Sequence, residues 1–281
     1  MSRIRVVTDS AGDIPVELTS ELGIVIVPLT IRFGDTEYRD VIDLSVEEFW
    51  KKSAASAELP QTAAPSMEAF KDAFETARQE GYAGVICICI SSKLSATYQS
   101  ALKAAETFAD SDFGVRVVDS RLATYGEGAL SVLAARNAEL PLAELVAMVS
   151  DAASRTRVVG ALDTLDNLRK GGRIGAAAAT LGSILSVKPI IEVINGVVEA
   201  PSKQRTRRRA LDFLYEIVRE EAPRLASIAV IDALAPDLDE FLAQLREITK
   251  ISDIPVATIG PVIGTHCGPR TIGVCIVTKP N

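Results

Sequence analysis

The stretch from Gly84 to Ala101, GVICICISSKLSATYQSA, constrains the fold most. Val85 to Ile90 is an unbroken apolar run, and at that length it reads as a strand buried on both faces, as in a parallel sheet. It breaks into Ser91, Ser92, Lys93, Leu94, Ser95, Ala96 and Thr97, after which Tyr98, Leu102, Ala105 and Phe108 recur at helical spacing. Hydroxyls therefore cluster at a strand-to-helix corner. In open α/β sheets such corners, at the carboxyl ends of strands, hold ligands, and the free N–H groups of the new helix favour an anion. Taken singly, Ser92, Ser95 and Thr97 read as helix caps. Three of them in one short turn, with Tyr98 alongside, point to a carboxylate or phosphate.

A chain of 281 residues exceeds the usual single-domain size of roughly 100 to 150 residues, which predicts two domains. Through about Ala153 the pattern alternates strand and helix. Ile4 to Val7 ends in Thr8, Asp9 and Ser10; Gly23 to Phe33 is extended, with Gly34 and Asp35 as a turn; and Val115 to Val118 ends in Asp119 and Ser120. Ser45 with Glu48 is a capping-box signal, and Met67, Phe70, Phe74 and Ala77 mark an amphipathic helix ended by Gly81. Leu59 to Pro65, bounded by prolines, is expected to be a rigid loop carrying Thr62. Gly126 and Gly128 are expected just ahead of an alanine-rich helix. The alternation predicts a three-layer parallel-sheet domain over residues 1–154.

The second half, residues 155–281, has a different grammar. Val158 to Leu162 and Pro189 to Ile194 read as strands, and Asn195-Gly196 before Val197 to Ala200 is a strong hairpin signal. Helices from about Thr206 and Pro236, with strands near 228–231, 256–259 and 272–277, predict a second α/β domain with a mixed sheet. Gly171 to Gly175 forms a glycine-rich corner, and His266, the single histidine, is expected in a glycine-rich loop from Gly264 to Gly268.

Several chemistries are excluded or weakened by the residues. No GxGxxG follows the first strand and no GxxxxGK[ST] occurs, so neither the dinucleotide fingerprint nor a P-loop is present, nucleotide binding is a weak reading and no cofactor is expected. Cys87, Cys89, Cys267 and Cys275 with one histidine give no metal set, and read as buried thiols. A net charge of −7 argues against a nucleic-acid partner. Lys203, Arg205, Arg207, Arg208 and Arg209 form a local basic cluster whose simplest role is a solvated helix face. With 48% hydrophobic residues but no apolar run near the ~20 needed to span a bilayer, and no secretory h-region at the start, a soluble, cytoplasmic protein is expected. A triad of Ser95, His266 and an aspartate such as Asp9 requires the imidazole to reach Ser95. On the residues alone, a packing role weighs first for His266.

Six stretches in order, TDSAGDIP (8–15), TAAPS (62–66), SSKLSATYQSA (91–101), VVDS (117–120), KGGRIG (170–175) and IGTHCGP (263–269), resemble the DegV family of fatty-acid-binding proteins. That family includes the lipid-binding subunits of bacterial fatty acid kinases. The resemblance implies two α/β domains with a long-chain fatty acid buried between them, its carboxylate held by Thr62 and Ser95 with His266 approaching from the second domain. It also implies that Arg173 and Arg205 lie near the mouth, facing an ATP-dependent fatty acid kinase subunit that forms the acyl phosphate; transient contact with a membrane surface is compatible with such a role. The chain would then bind lipid without catalysis of its own. An acyl hydrolase using Ser95 and His266 is the alternative; an autonomous kinase lacks the phosphate motif. Two positions depart from the family pattern: Ala96 stands where glycine is usual, and Arg270 where a glycine commonly follows Gly268 and Pro269. The alanine-rich stretch from Gly175 to Val187 is a candidate tunnel wall.

Overall fold

The computed structural model of the protein describes residues 3–180 and 187–280. In chain order its first half contains β1 (Ile4–Asp9), a 3-10 turn at Ser10–Gly12, α1 (Val16–Leu22), β2 (Val25–Val27), β3 (Thr30–Phe33), β4 (Thr36–Arg39), α2 (Val46–Ala55), β5 (Gln61–Ala63), α3 (Met67–Gln79), β6 (Gly84–Cys89), α4 (Thr97–Glu106), β7 (Gly114–Asp119), α5 (Tyr125–Arg136) and α6 (Leu142–Ser154). The second half follows with β8 (Thr156–Ala161), α7 (Asp166–Lys170), a 3-10 segment at Gly175–Thr180, β9 (Lys188–Ile194), β10 (Val197–Gln204), α8 (Arg207–Glu221), β11 (Leu225–Asp232), α9 (Leu238–Thr249), β12 (Val256–Thr258), α10 (Pro261–Cys267) and β13 (Ile272–Thr278).

Strands β2-β1-β6-β7 form a parallel sheet, with Val7 opposite Cys87 and Cys87 opposite Val117. Every residue of β6 is buried because its two faces meet different helices. Val85, Cys87 and Cys89 pack on Phe70, Phe74, Ala101 and Ala104 of α3 and α4. Ile86 and Ile88, on the other face, join the cluster of Leu130, Leu145 and Val149 from α5 and α6. This is the three-layer arrangement, and the period of two along a strand is what lets one apolar run serve both layers.

The second sheet has the order β10-β9-β8-β13-β11-β12 and is mixed, with β11 and β12 parallel and the other pairs antiparallel. The Asn195-Gly196 turn joins β9 to β10, pairing Val197 with Ile194. Leu214, Val218, Phe241 and Leu245 of α8 and α9 cover one face. Toward the other face, Val158, Ala229, Ile231 and Cys275 share a cluster with Tyr125 of α5. Helix α5 thus lies between the two sheets.

Three expectations change. The proline-bounded segment contains a short strand, β5, paired antiparallel with β3, and β4-β3-β5 forms a small third sheet. Pro60 and Pro65 flank the strand without interrupting the three residues that pair, as edge strands permit. Gly126 and Gly128 lie inside α5 rather than ahead of it. A Cβ at Gly126 would strike the Val158 side chain, and one at Gly128 would strike the Gly12 carbonyl, so close packing on both sides of the helix requires them. His266 sits in the last turn of α10 rather than in a loop; Pro261 at the first turn starts that helix and Gly268 ends it.

Candidate ligand-binding site

The carboxyl edge of the parallel sheet is built by turns that hold one another. Asp9, closing β1, accepts the Ile90 N–H at 2.9 Å and the Ala11 N–H at 3.0 Å. The turn after β7 meets the corner after β6 through Ser91 N–H to the Leu122 carbonyl at 2.9 Å. Ser91 Oγ donates to the Gly196 carbonyl at 2.7 Å, joining this edge to the β9–β10 hairpin of the other sheet. Ser92, read as one of the clustered hydroxyls, is directed elsewhere, onto Asp119 at 2.5 Å.

Between this edge and the second sheet lies a cavity of about 190 Å³, several times the ~30 Å³ share of one water in the liquid. Its wall is apolar for most of its extent, with Ile90, Leu162, Ile191, Val193, Ile231 and Val262 among the lining residues. Thr62, Ser95, His266 and Arg173 line it as well. Residues distant in sequence therefore meet at one site. Thr62 Oγ1 lies 3.1 Å from His266 Nε2. Ser95 Oγ lies 2.8 Å from Thr97 Oγ1 and accepts the Thr97 N–H at 3.2 Å, which ties it to the start of α4. Arg173 Nε donates to the Leu94 carbonyl at 3.2 Å and Nη1 to the Gly171 carbonyl at 2.7 Å, so its guanidinium spans from the β6–α4 corner to the end of α7.

His266 is enclosed against Gly171, where a Cβ would collide with the ring. Burial, and then the charge of Arg173, push its pKa down to about 4, so the imidazole is neutral near pH 7. Nδ1 is buried without a hydrogen-bond partner. A proton on Nε2 leaves only a lone pair at that unpartnered nitrogen. Nε2–H then donates to Thr62, whose own O–H is free to donate onward. The ensemble can present uncharged donors to an anion beside an apolar space, which is what a buried carboxylate needs.

Other expected residues fall differently. Arg205, just past β10, is exposed and is not part of the cavity lining. Within the basic cluster Arg207 is not simply solvated, since it forms a two-point pair with Asp237 at 2.8 Å. Ala96 lines the cavity and precedes α4 without a side-chain cap. Arg270 takes a left-handed φ of 63° and lies 3.4 Å from Asp163, which also holds Lys188 at 2.8 Å. The Gly175–Thr180 segment packs against β10, and Gly175 to Ala178 do not line the cavity. Residues 181–186 of the expected wall lie outside the described residues. The Ser95–His266–Asp9 triad is not assembled. The imidazole bonds Thr62, and both Asp9 oxygens accept backbone N–H groups. Thr124 and Thr271, which sequence reasoning did not single out, also line the cavity. Their hydroxyls bond Asp13 and the carbonyls of Cys267 and Gly268 respectively.

Among the described residues no cluster of His, Cys, Asp and Glu is arranged to hold a metal ion, and no helix is long and apolar enough to cross a membrane.

Fold and site together define an α/β protein with a largely apolar cavity between a parallel and a mixed sheet. The model of the family described as "Uncharacterised protein, DegV family" matches residues 3–279, and the chain belongs to that family. It is 34% identical over 286 residues to a DegV domain-containing protein of Streptomyces coelicolor, covering 99% of this chain and 100% of the other. Among solved structures it resembles a DegV family protein from Thermus thermophilus described for its fatty acid binding, at 32% identity and a TM-score of 0.87, covering 99% and 100% of the two chains. It also resembles DegV of Bacillus subtilis, described as a fatty acid binding protein, at 29% identity and a TM-score of 0.89 over 99% and 100%. A stearic acid-binding protein from Eubacterium ventriosum is 25% identical with a TM-score of 0.89 over 98% of each chain.

Proposed function

We propose that the protein binds a long-chain fatty acid in this cavity and presents its carboxylate to an ATP-dependent kinase subunit that forms the acyl phosphate. The observation that carries the reading is the junction of an apolar wall with the Thr62–His266 pair and Ser95. Each buried acyl CH₂ contributes about 0.8 kcal/mol, so a long chain supplies the affinity and the few polar groups fix its direction. Three solved relatives whose descriptions name fatty acid binding support the ligand class. Thr62, Ser95 and His266 are assigned to the carboxylate, while Arg173 at the cavity and exposed Arg205 are assigned to the partner and the transferring phosphoryl group. The chain performs no chemistry alone in this reading, because Ser95 has no base to activate it.

The test is extraction of the purified protein with organic solvent and mass spectrometry of the extract. Stoichiometric fatty acid is expected. An empty extract together with no uptake of added oleate or palmitate would sink the reading. Replacing Arg173 or Arg205 by alanine is expected to impair acyl phosphate formation with the partner more than lipid binding. Loss of lipid binding by a folded variant would move that arginine into the carboxylate site.

A further inference from the structure

We infer that Asp13 is a positioning residue of the cavity, its carboxyl group tying Thr124 in the cavity wall to the start of the helix that carries His266. The inference rests on the fatty-acid reading above. Asp13 closes the Ser10–Gly12 turn in a left-handed conformation, φ 45° and ψ 40°. Its Oδ2 accepts the Thr124 O–H at 2.6 Å, and its Oδ1 accepts the Gly260 N–H at 2.9 Å. One carboxyl group thereby joins three segments that lie far apart in the chain.

Each tie leads to the cavity. Thr124 lines it and is held at φ 50° and ψ −146°, a conformation ordinarily left to glycine, which persists only where its surroundings dictate it. Gly260 is the N-cap of α10, and a Cβ there would come within 2.9 Å of Asp13 Oδ1. From that point α10 is a single short rod whose Val262, Ile263, His266 and Cys267 all line the cavity. Moving its first turn moves the imidazole relative to Thr62, which stands on strand β5, and a 3.1 Å contact tolerates little displacement. Asp13 itself does not line the cavity, so its influence passes through Thr124 and α10.

The surroundings make this tie titratable. Asp9 from the end of β1 and Asp40 after β4 repel a charge on Asp13, and Asp13 in turn raises the pKa of Glu127 on α5 and of the Cys267 thiol on α10. Desolvation of the half-buried Asp13 carboxyl outweighs the bonds from Thr124 and Gly260 and pushes it up to about 8. Its proton is therefore held near neutral pH and leaves in mild alkali. The charge it leaves behind stands behind the wall of a cavity that takes an anion.

Because the chain has one histidine, a single set of imidazole resonances reports the position of His266. Wild type, Asp13→Ala, Asp13→Asn and Thr124→Val would be compared by those resonances and by palmitate affinity at pH 7 and pH 9. Wild-type affinity is expected to fall several-fold at the higher pH. Asp13→Ala should shift the imidazole signals and lose about tenfold in affinity at pH 7. Asp13→Asn, whose amide can still accept from Gly260 and donate to Thr124, should stay within about threefold of wild type and lose the pH dependence. If wild type takes up no palmitate, the fatty-acid reading fails and the imidazole signals alone decide the positioning role. If wild type binds, and folded Asp13→Ala matches it in affinity and imidazole signals, the inference is overturned. Should Asp13→Ala not fold, wild-type pH dependence and unmoved imidazole signals in both Asp13→Asn and Thr124→Val overturn it.

Discussion

At the scale of single residues, the site is a small set of donors whose geometry depends on what they are packed against. Thr62 and Ser95 reach one cavity from a short edge strand and a strand-to-helix corner. Removing either hydroxyl beside a bound carboxylate should cost about 1.5–3 kcal/mol of affinity. The two losses should be non-additive, because both groups serve one anion. A double-mutant cycle of Thr62→Ala and Ser95→Ala, measured with a fatty acid and with its methyl ester, checks this; additive losses, or equal losses for acid and ester, would mean that the carboxylate sits elsewhere. Gly171→Ala offers a different test, since the new methyl would occupy the space of the His266 ring. It should lower fatty-acid affinity, shift the imidazole resonances and cost about 1–3 kcal/mol of stability through overpacking. These donors could be singled out from the sequence because their residue types stand out in turns and match the motifs of a known family. Thr124 could not. A threonine in a polar turn carries no sign of the positive φ or of the carboxylate 111 positions away in sequence that holds it.

Secondary-structure elements were legible where one local rule decided them. The β6 run announces itself because both faces are covered, and the Ser45–Glu48 capping box forms as its spacing requires, with the Glu48 N–H donating to Ser45 Oγ at 3.2 Å. Helix α5 shows the opposite case. Glycine disfavours a helix interior by about 1 kcal/mol relative to alanine, so Gly126 and Gly128 read as a lead-in to the helix rather than as part of it. Contact with the turn after β1 on one side and with β8 on the other overrides that preference. Gly128→Ala should therefore destabilise the protein by about 1–3 kcal/mol through overpacking, although alanine is the better helix former. Denaturant unfolding measures it, and a gain in stability would show that the helix can shift away from Gly12 without cost. The loop expected around His266 has a related explanation. Its flanking glycines suggest a turn, yet Pro261 and the Gly260 cap start a seven-residue helix across them.

For the whole molecule, the two sheets were predictable from the change in pattern between the halves, and a division into domains 1–154 and 155–281 is our proposal. The join between them was not predictable, because apolar strands read alike whether they face a core or a cavity. One hydrophobic cluster includes Ile86 and Leu130 from the first half and Ala229 and Cys275 from the second. Beside that join lies a group of carboxyls that governs stability against pH. Burial raises Asp9 and Asp40 to about 6 and Asp13 to about 8, and raises Glu127 well above its ordinary value. The native state therefore retains protons that the unfolded chain has released, so this contribution is complete below the ordinary carboxyl range and is lost as pH rises through 6 to 8. His266 acts in the other direction. Its pKa is lowered to about 4, so the folded state disfavours the protonated ring and stability is lost as pH falls from about 6.5 toward 4. Above pH 6.5 the opposing slope of the histidine dies away while that of the carboxyls remains, so the melting temperature should fall between pH 6.5 and pH 8.5. Asp13→Asn, which removes the carboxyl that titrates inside that window, should flatten the decline. A melting temperature that rises over this interval in wild type, or an equal decline in Asp13→Asn, would show that the buried carboxyls do not carry the protons assigned to them.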